Sequence, residues 1–124
     1  MDNFPIFLEI KNKPVLVIGG GGIALRKIKL LIKSKPNIKV VANNFCDEIL
    51  DLKDMHSIDI IQKDFHPNDI EFPIIIIAAT NNKSLNKQIS QLGLKKNIPV
   101  NVVDQPSLCT FTMGSIVERG SLVI

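Results

Sequence analysis

Four consecutive glycines, Gly19 to Gly22, follow the apolar run Val15-Leu16-Val17-Ile18 and lead straight into a stretch of helical periodicity. Gly19, Gly21 and Ala24 occupy the fixed positions of G-x-G-x-x-G/A, the fingerprint of a turn that cradles a dinucleotide pyrophosphate. Each small residue has a mechanical reason. Gly19 lets the chain turn sharply off a strand, and Gly21, with no Cβ, lets backbone approach the phosphates. Ala24 lets the following helix pack closely on the strand. That helix would aim its unpaired N–H groups and positive dipole end at the anion. The competing reading is a glycine-rich turn that holds no ligand.

Other polar groups stand where apolar runs end. Asn43-Asn44 lies about 20 residues beyond the glycines, where the fingerprint expects an Asp or Glu on the adenosine ribose. Either asparagine can hydrogen-bond ribose hydroxyls, or the pair simply makes a turn. No arginine stands nearby in sequence to hold a 2′-phosphate, which favours NAD over NADP. Ala79-Thr80-Asn81-Asn82 and Asp104 end two further runs. Asp104 is open to two readings as well: a carboxylate placed to take a proton beside a hydride acceptor, or the first residue of an ordinary turn, Asp104-Gln105-Pro106-Ser107.

The elements that must carry these groups alternate along the chain. Phe4 to Ile10 reads as an extended lead-in, with a turn at Lys11-Asn12-Lys13. Val15 to Ile18 is apolar on both faces, as in a covered parallel sheet. A helix is expected from Gly22 to Lys33, with Ala24, Ile28, Leu31 and Ile32 inward and Arg26, Lys27, Lys29 and Lys33 outward. Ile38 to Ala42 is a second strand, Phe45 to Lys53 a short helix and Ile58 to Ile61 a third strand. A charged loop, Gln62 to Pro67, and a single turn at Asn68-Asp69-Ile70 follow. Pro73 to Ala79 is the most apolar strand. Ser84 is expected to cap a helix through Leu85, Ile89, Leu92 and Lys96, and Val100 to Val103 is a fifth strand. Such alternation favours a Rossmann-type, doubly wound, mainly parallel α/β sheet with helices on both faces. In that architecture ligands bind beyond the strands' carboxyl ends, so Gly19 to Gly22, Asn43-Asn44, Ala79 to Asn82 and Asp104 should line one crevice.

Composition narrows the remaining classes. A chain of 124 residues, 45% hydrophobic and 22% charged, is one ordinary globular domain. Its longest apolar run, Pro73 to Ala79, is too short to span a bilayer, and Met1 to Pro5 lacks the pattern of a secretory signal. No membrane association is expected, and the cytoplasm is the expected compartment. Cys46 and Cys109 have no C-x-x-C spacing, and His56 and His66 stand apart from them, so no metal site is expected. A net charge of +3 suits an anionic ligand but is too small to argue for nucleic acid. His66, in a loop, reads as merely exposed. A short-chain dehydrogenase would need a Tyr-x-x-x-Lys pair, and the chain has no tyrosine.

Several segments together resemble the precorrin-2 dehydrogenase family, the N-terminal domain of siroheme synthase. They are Pro5-Ile6-Phe7-Leu8, Val17 to Gly21 with Ala24-x-Arg26-Lys27, Ala78-Ala79-Thr80-Asn81-Asn82 and Asn101-Val102-Val103-Asp104. The tail from Phe111 to Arg119 is similar too, and the likeness runs the length of the chain in the same order. The resemblance implies an NAD-dependent oxidation of precorrin-2, a carboxylate-rich tetrapyrrole, to sirohydrochlorin, with ferrous iron insertion in some members. It implies that Gly22-Ile23 and Asn43-Asn44 contact NAD and that Asp104 is catalytic. With that substrate, Arg26, Lys27 and Arg119 become candidates for its carboxylates, although charge on a helix is usually a solvated face.

Two departures from the family stand out. Asn81-Asn82 replaces acidic residues common in relatives. Relatives also continue past the equivalent of Ile124 into a helical segment that forms a homodimer. The expectation is therefore a fragment, with residues 1–112 the NAD-binding domain and 113–124 the start of the dimerisation segment. The other functional class left open is a non-catalytic NAD(H)-sensing regulatory domain, since fold does not fix function.

Overall fold

A computed structural model describes residues 4–113 of the chain. Five strands form one sheet: β1 (Pro14–Ile18), β2 (Asn37–Ala42), β3 (Ile58–Gln62), β4 (Ile75–Ala78) and β5 (Val100–Val102). Three helices connect them: α1 (Gly22–Ile32), α2 (Asp47–Met55) and α3 (Lys83–Lys96). The order across the sheet is β3-β2-β1-β4-β5 and every pairing is parallel. The chain thus winds outward from β1 through β2 to β3, then crosses to the other side of β1 for β4 and β5. The reversal falls between β1 and β4, where a doubly wound sheet opens its crevice.

Side-chain alternation on the central strands explains the two layers. Val15 and Val17 of β1 face one cluster with Ala24, Leu25 and Ile28 of α1, Ile49 of α2 and Ile75 and Ile77 of β4. Leu16 and Ile18 face the opposite cluster with Ile76 and Ala78 of β4, Ile89 of α3 and Val100 of β5. Both faces of β1 and β4 are therefore buried, which is why their sequences are unbroken apolar runs rather than alternating ones.

Several boundaries differ from the sequence reading for local reasons. The fourth strand is Ile75–Ala78 rather than Pro73 to Ala79, although Ile74 and Ala79 still donate backbone hydrogen bonds to Pro14 and Ile18 at its two ends. The fifth strand stops at Val102, yet Val103 N–H continues the ladder to Ala78 O. α2 starts at Asp47 rather than Phe45, because Phe45 and Cys46 pack on the core before the helix begins. Asn82, not Ser84, caps α3: its side chain accepts from Leu85 N–H at 3.0 Å, and Ser84 lies exposed in the first turn. Asn97 ends that helix in the left-handed conformation.

Candidate functional site

The glycine turn is welded to the tips of two neighbouring strands. Gly19 adopts φ +133°, a conformation that side chains rarely take, and a Cβ there would collide with the carbonyl of Ala79. Its N–H donates to Val41 O at 3.0 Å on β2. A Cβ on Gly20 would collide with the carbonyl of Asn44, and Gly20 O accepts from Cys46 N–H at 2.8 Å. Gly21 is different in kind. A Cβ there, or on Gly22, would meet nothing within 4 Å. Two glycines are thus required by the fold, and the next two border open space.

That space is a crevice of about 670 Å³ beyond the strands' carboxyl ends, lined among others by Gly19, Gly20, Gly21, Asn43, Asn44 and Thr80. Ala79, Asn81 and Asn82 from the end of β4 share the lining. A second, smaller depression of about 330 Å³ lies around Asn12, Lys35 and Asn37, at the opposite ends of the strands from the glycine turn. The carboxyl-end crevice is the candidate site, because it gathers the polar strand tips and the helix start that bind anions in this architecture.

α1 begins at that crevice without a cap of its own. Gly21 is its N-cap, no side chain caps it and no acidic residue lies in its first turn. α2 has Asp47 and Glu48 in its first turn, and α3 has the Asn82 cap. The first N–H groups and dipole of α1 are therefore left for an external acceptor. A pyrophosphate fits that demand.

The β4 tip is held rigid from below. Asn86 on α3 is 2% exposed. Its Nδ2 donates to Thr80 O at 3.1 Å, and its Oδ1 accepts from Thr80 Oγ1 at 2.6 Å and Thr80 N–H at 3.3 Å. The backbone at Thr80 is thereby fixed on the wall of the crevice.

The β2 side of the crevice contains groups that local pattern did not reveal. Register between β2 and β3 pairs Ala42 with Gln62, which sets the residues just beyond them side by side. Lys63, Asp64 and Phe65 consequently join the lining. Asn43 Nδ2 donates to Asp64 Oδ1 at 3.0 Å, and Gln62 Nε2 donates to Asn43 O at 3.1 Å. Lys63 Nζ lies 2.6 Å from Asp69 Oδ1. Burial pushes the Asp69 carboxyl up, but its hydrogen bonds with Lys63 and the His66 N–H, with the charges of Lys63 and Lys39, outweigh that and hold it below the usual range. His66 itself is a cap: its Nδ1 accepts from Asn68 N–H at 3.1 Å. The only sequence signal for these residues was their place in a charged loop after a strand.

Other candidates fall outside the lining. Ala24 has no exposed surface and packs with Ala79 and Val103, so it governs helix approach and offers a ligand nothing. Ile23 is 36% exposed in the first turn of α1, where Gly22 starts the helix. Arg26 is exposed and Lys27 half-buried further along it. Asp104 is exposed at φ +56° just past β5, next to Val103, whose N–H bonds the β4 tip. Asn101 holds the returning chain, donating to Phe111 O at 3.1 Å. Arg119 and most of the segment 113–124 lie outside the described residues. Among the described residues no group of three or more His, Cys, Asp or Glu is placed to hold a metal ion, and no helix is long and apolar enough to cross a membrane.

Comparison with known proteins places this geometry in context. Residues 6–115 match the model of a family described as "Putative NAD(P)-binding". Siroheme synthase of Ruthia magnifica subsp. Calyptogena magnifica is 48% identical over 124 residues, all of this chain and 26% of that protein. Siroheme synthase of Zymomonas mobilis is 41% identical, again over all of this chain and 26% of the relative. The chain thus spans about a quarter of the length of the curated relatives it matches. Among solved structures, SirC, a precorrin-2 dehydrogenase, superposes with a TM-score of 0.84 at 28% identity, covering 98% of this chain and 60% of that one.

Proposed function

The chain belongs to the NAD(P)-binding family that its residues 6–115 match, and we propose that it is the dinucleotide-binding part of a cytoplasmic, NAD-dependent precorrin-2 dehydrogenase of siroheme biosynthesis. The observation that carries the reading is the division among the glycines. Gly19 and Gly20 are needed by the fold, while Gly21 faces open crevice at an uncapped helix start. Backbone amides of the turn and the first turn of α1 hold the pyrophosphate, and Ala79 to Asn81 line the wall toward the nicotinamide half. The names and likeness of the relatives support precorrin-2 as the substrate.

A bound nicotinamide supplies a hydride acceptor. The chain supplies the rest. Asp104 takes the proton that the substrate loses from a second, neighbouring bond when a C–H bond gives up its hydride, and its exposed carboxylate on the sheet's carboxyl side suits it to meet a large substrate. Arg26 and Lys27, joined by Arg119 of the tail, pair with the tetrapyrrole's carboxylates. The ribose reading assigns NAD rather than NADP, from Asn43 and Asn44 at the β2 tip. A homodimer formed by chain beyond Ile124 belongs to the same reading, and sedimentation of the longer protein tests it.

The deciding experiment adds precorrin-2 and NAD to a protein extended past Ile124 and follows NADH formation. Turnover supports the enzyme. Dinucleotide binding without turnover would replace it with an NAD(H)-sensing domain.

A further inference from the structure

Resting on the dinucleotide reading of the crevice, we infer that Asp64 is the residue that makes it discriminate against a 2′-phosphate. The tip of β2 carries no acidic residue, only Asn43 and Asn44. The carboxylate comes instead from the neighbouring strand. Parallel register with β3, a hydrogen bond from Lys63 N–H to Ala42 O at 2.9 Å and the Gln62 contact to Asn43 O lock the two tips together. Asn43 Nδ2 then holds Asp64 Oδ1 at 3.0 Å, and Oδ2 has no hydrogen-bond partner among the described residues. Asn43 and Asp64 both line the crevice that contains the glycine turn.

A carboxylate accepts a hydrogen bond from a ribose 2′-hydroxyl and repels a 2′-phosphate. The adjacent cation does not reverse this. Lys63 Nζ is paired with Asp69 Oδ1 at 2.6 Å rather than with Asp64. A phosphate entering there meets the charge of Asp64 at close range, which disfavours it against a hydroxyl. Asp64 is a specificity-determining residue at a position that the usual β2 rule would not have inspected.

The test is a direct titration of NAD and NADP, read by quenching or calorimetry, on the whole chain and its variants. Asp64→Asn keeps the size of the side chain and a hydrogen bond with Asn43 but removes the charge. Asp64→Ser is a second neutral variant should the first fold poorly. The expected result is an NAD preference in the parent chain and at least a tenfold fall in the NADP-to-NAD Kd ratio in either variant, with unchanged melting. Gly21→Val in the same titration reports on the site itself. If Gly21→Val weakens NAD binding while the ratio stays fixed in both Asp64 variants, the Asp64 assignment is overturned and the dinucleotide site stands. If the parent chain binds neither dinucleotide, both are overturned.

Discussion

Gly20 lies against the backbone carbonyl of Asn44 so closely that a methyl group at this position would collide with it, and this contact seats the glycine turn on the tip of β2. The same turn one residue later is unobstructed. Adjacent glycines thus answer to different demands, one set by folding and one by what enters the crevice.

Substitutions at these two positions should separate stability from binding. Gly20→Ala forces the turn away from Asn44 and should cost about 1–3 kcal/mol, as overpacked sites do, lowering the melting temperature by several degrees. At Gly21 an added Cβ meets no protein atom within 4 Å. Replacing the α1 N-cap by valine should cost at most about 1 kcal/mol, while NAD affinity falls about tenfold or more, roughly 1.4 kcal/mol. Thermal melts and NAD titrations on both variants check this. Unaltered affinity in a folded Gly21→Val protein would mean the cofactor does not lie over the turn.

A second prediction concerns the β4 tip. Asn86→Ala removes the amide that satisfies the Thr80 carbonyl, hydroxyl and N–H from a nearly fully buried position. Groups left without partners cost about 1–3 kcal/mol, so the variant should lose about 2 kcal/mol in urea unfolding. Thr80 forms part of the crevice wall, so NAD affinity should fall with it. A variant as stable as the parent would show that Thr80 finds other partners.

Legibility in the sequence followed the range of the interaction involved. β1 and β4 could be read because burial on both faces writes itself into consecutive apolar residues. α1 could be read from its 3.6-residue period, and the crevice from the rule that strand ends converge. What escaped depended on register or on a contact distant in sequence. Gly20 is needed because of Asn44, and no local pattern states that. Asp64 and Lys63 enter the site only because β3 pairs with β2 one step out of the expected motif. The cap of α3 was misplaced by two residues, since Asn82 and Ser84 are both good caps and only the backbone path selects between them.

Protonation of Asp69 provides a pH-dependent check on the β3 tip. Its folded-state carboxyl is held below the ordinary value, so its ion pair and hydrogen bonds add stability that is fully present above the unfolded-state carboxylate pKa. That stability is lost as pH falls through the lower folded-state value. Asp69→Asn should therefore be less stable than the parent at neutral pH, and the gap should close in acid. Urea midpoints from pH 7 to about pH 3 measure it. A gap that is constant over the range would remove the Lys63–Asp69 pair from the account.

Asp104 has two reasons to be aspartate, and one substitution distinguishes them. Its backbone sits at φ +56°, where Asn and Asp are tolerated better than alanine. Asp104→Ala loses both the carboxylate and that tolerance, with about 1–2 kcal/mol of backbone strain. Asp104→Asn keeps the turn and removes only the proton acceptor. In the longer protein, Asp104→Asn should melt with the parent and bind NAD equally well, yet oxidise precorrin-2 about 100- to 10,000-fold more slowly. Near-normal turnover in Asp104→Asn beside reduced melting in Asp104→Ala would assign Asp104 to the turn alone and leave proton removal to another group.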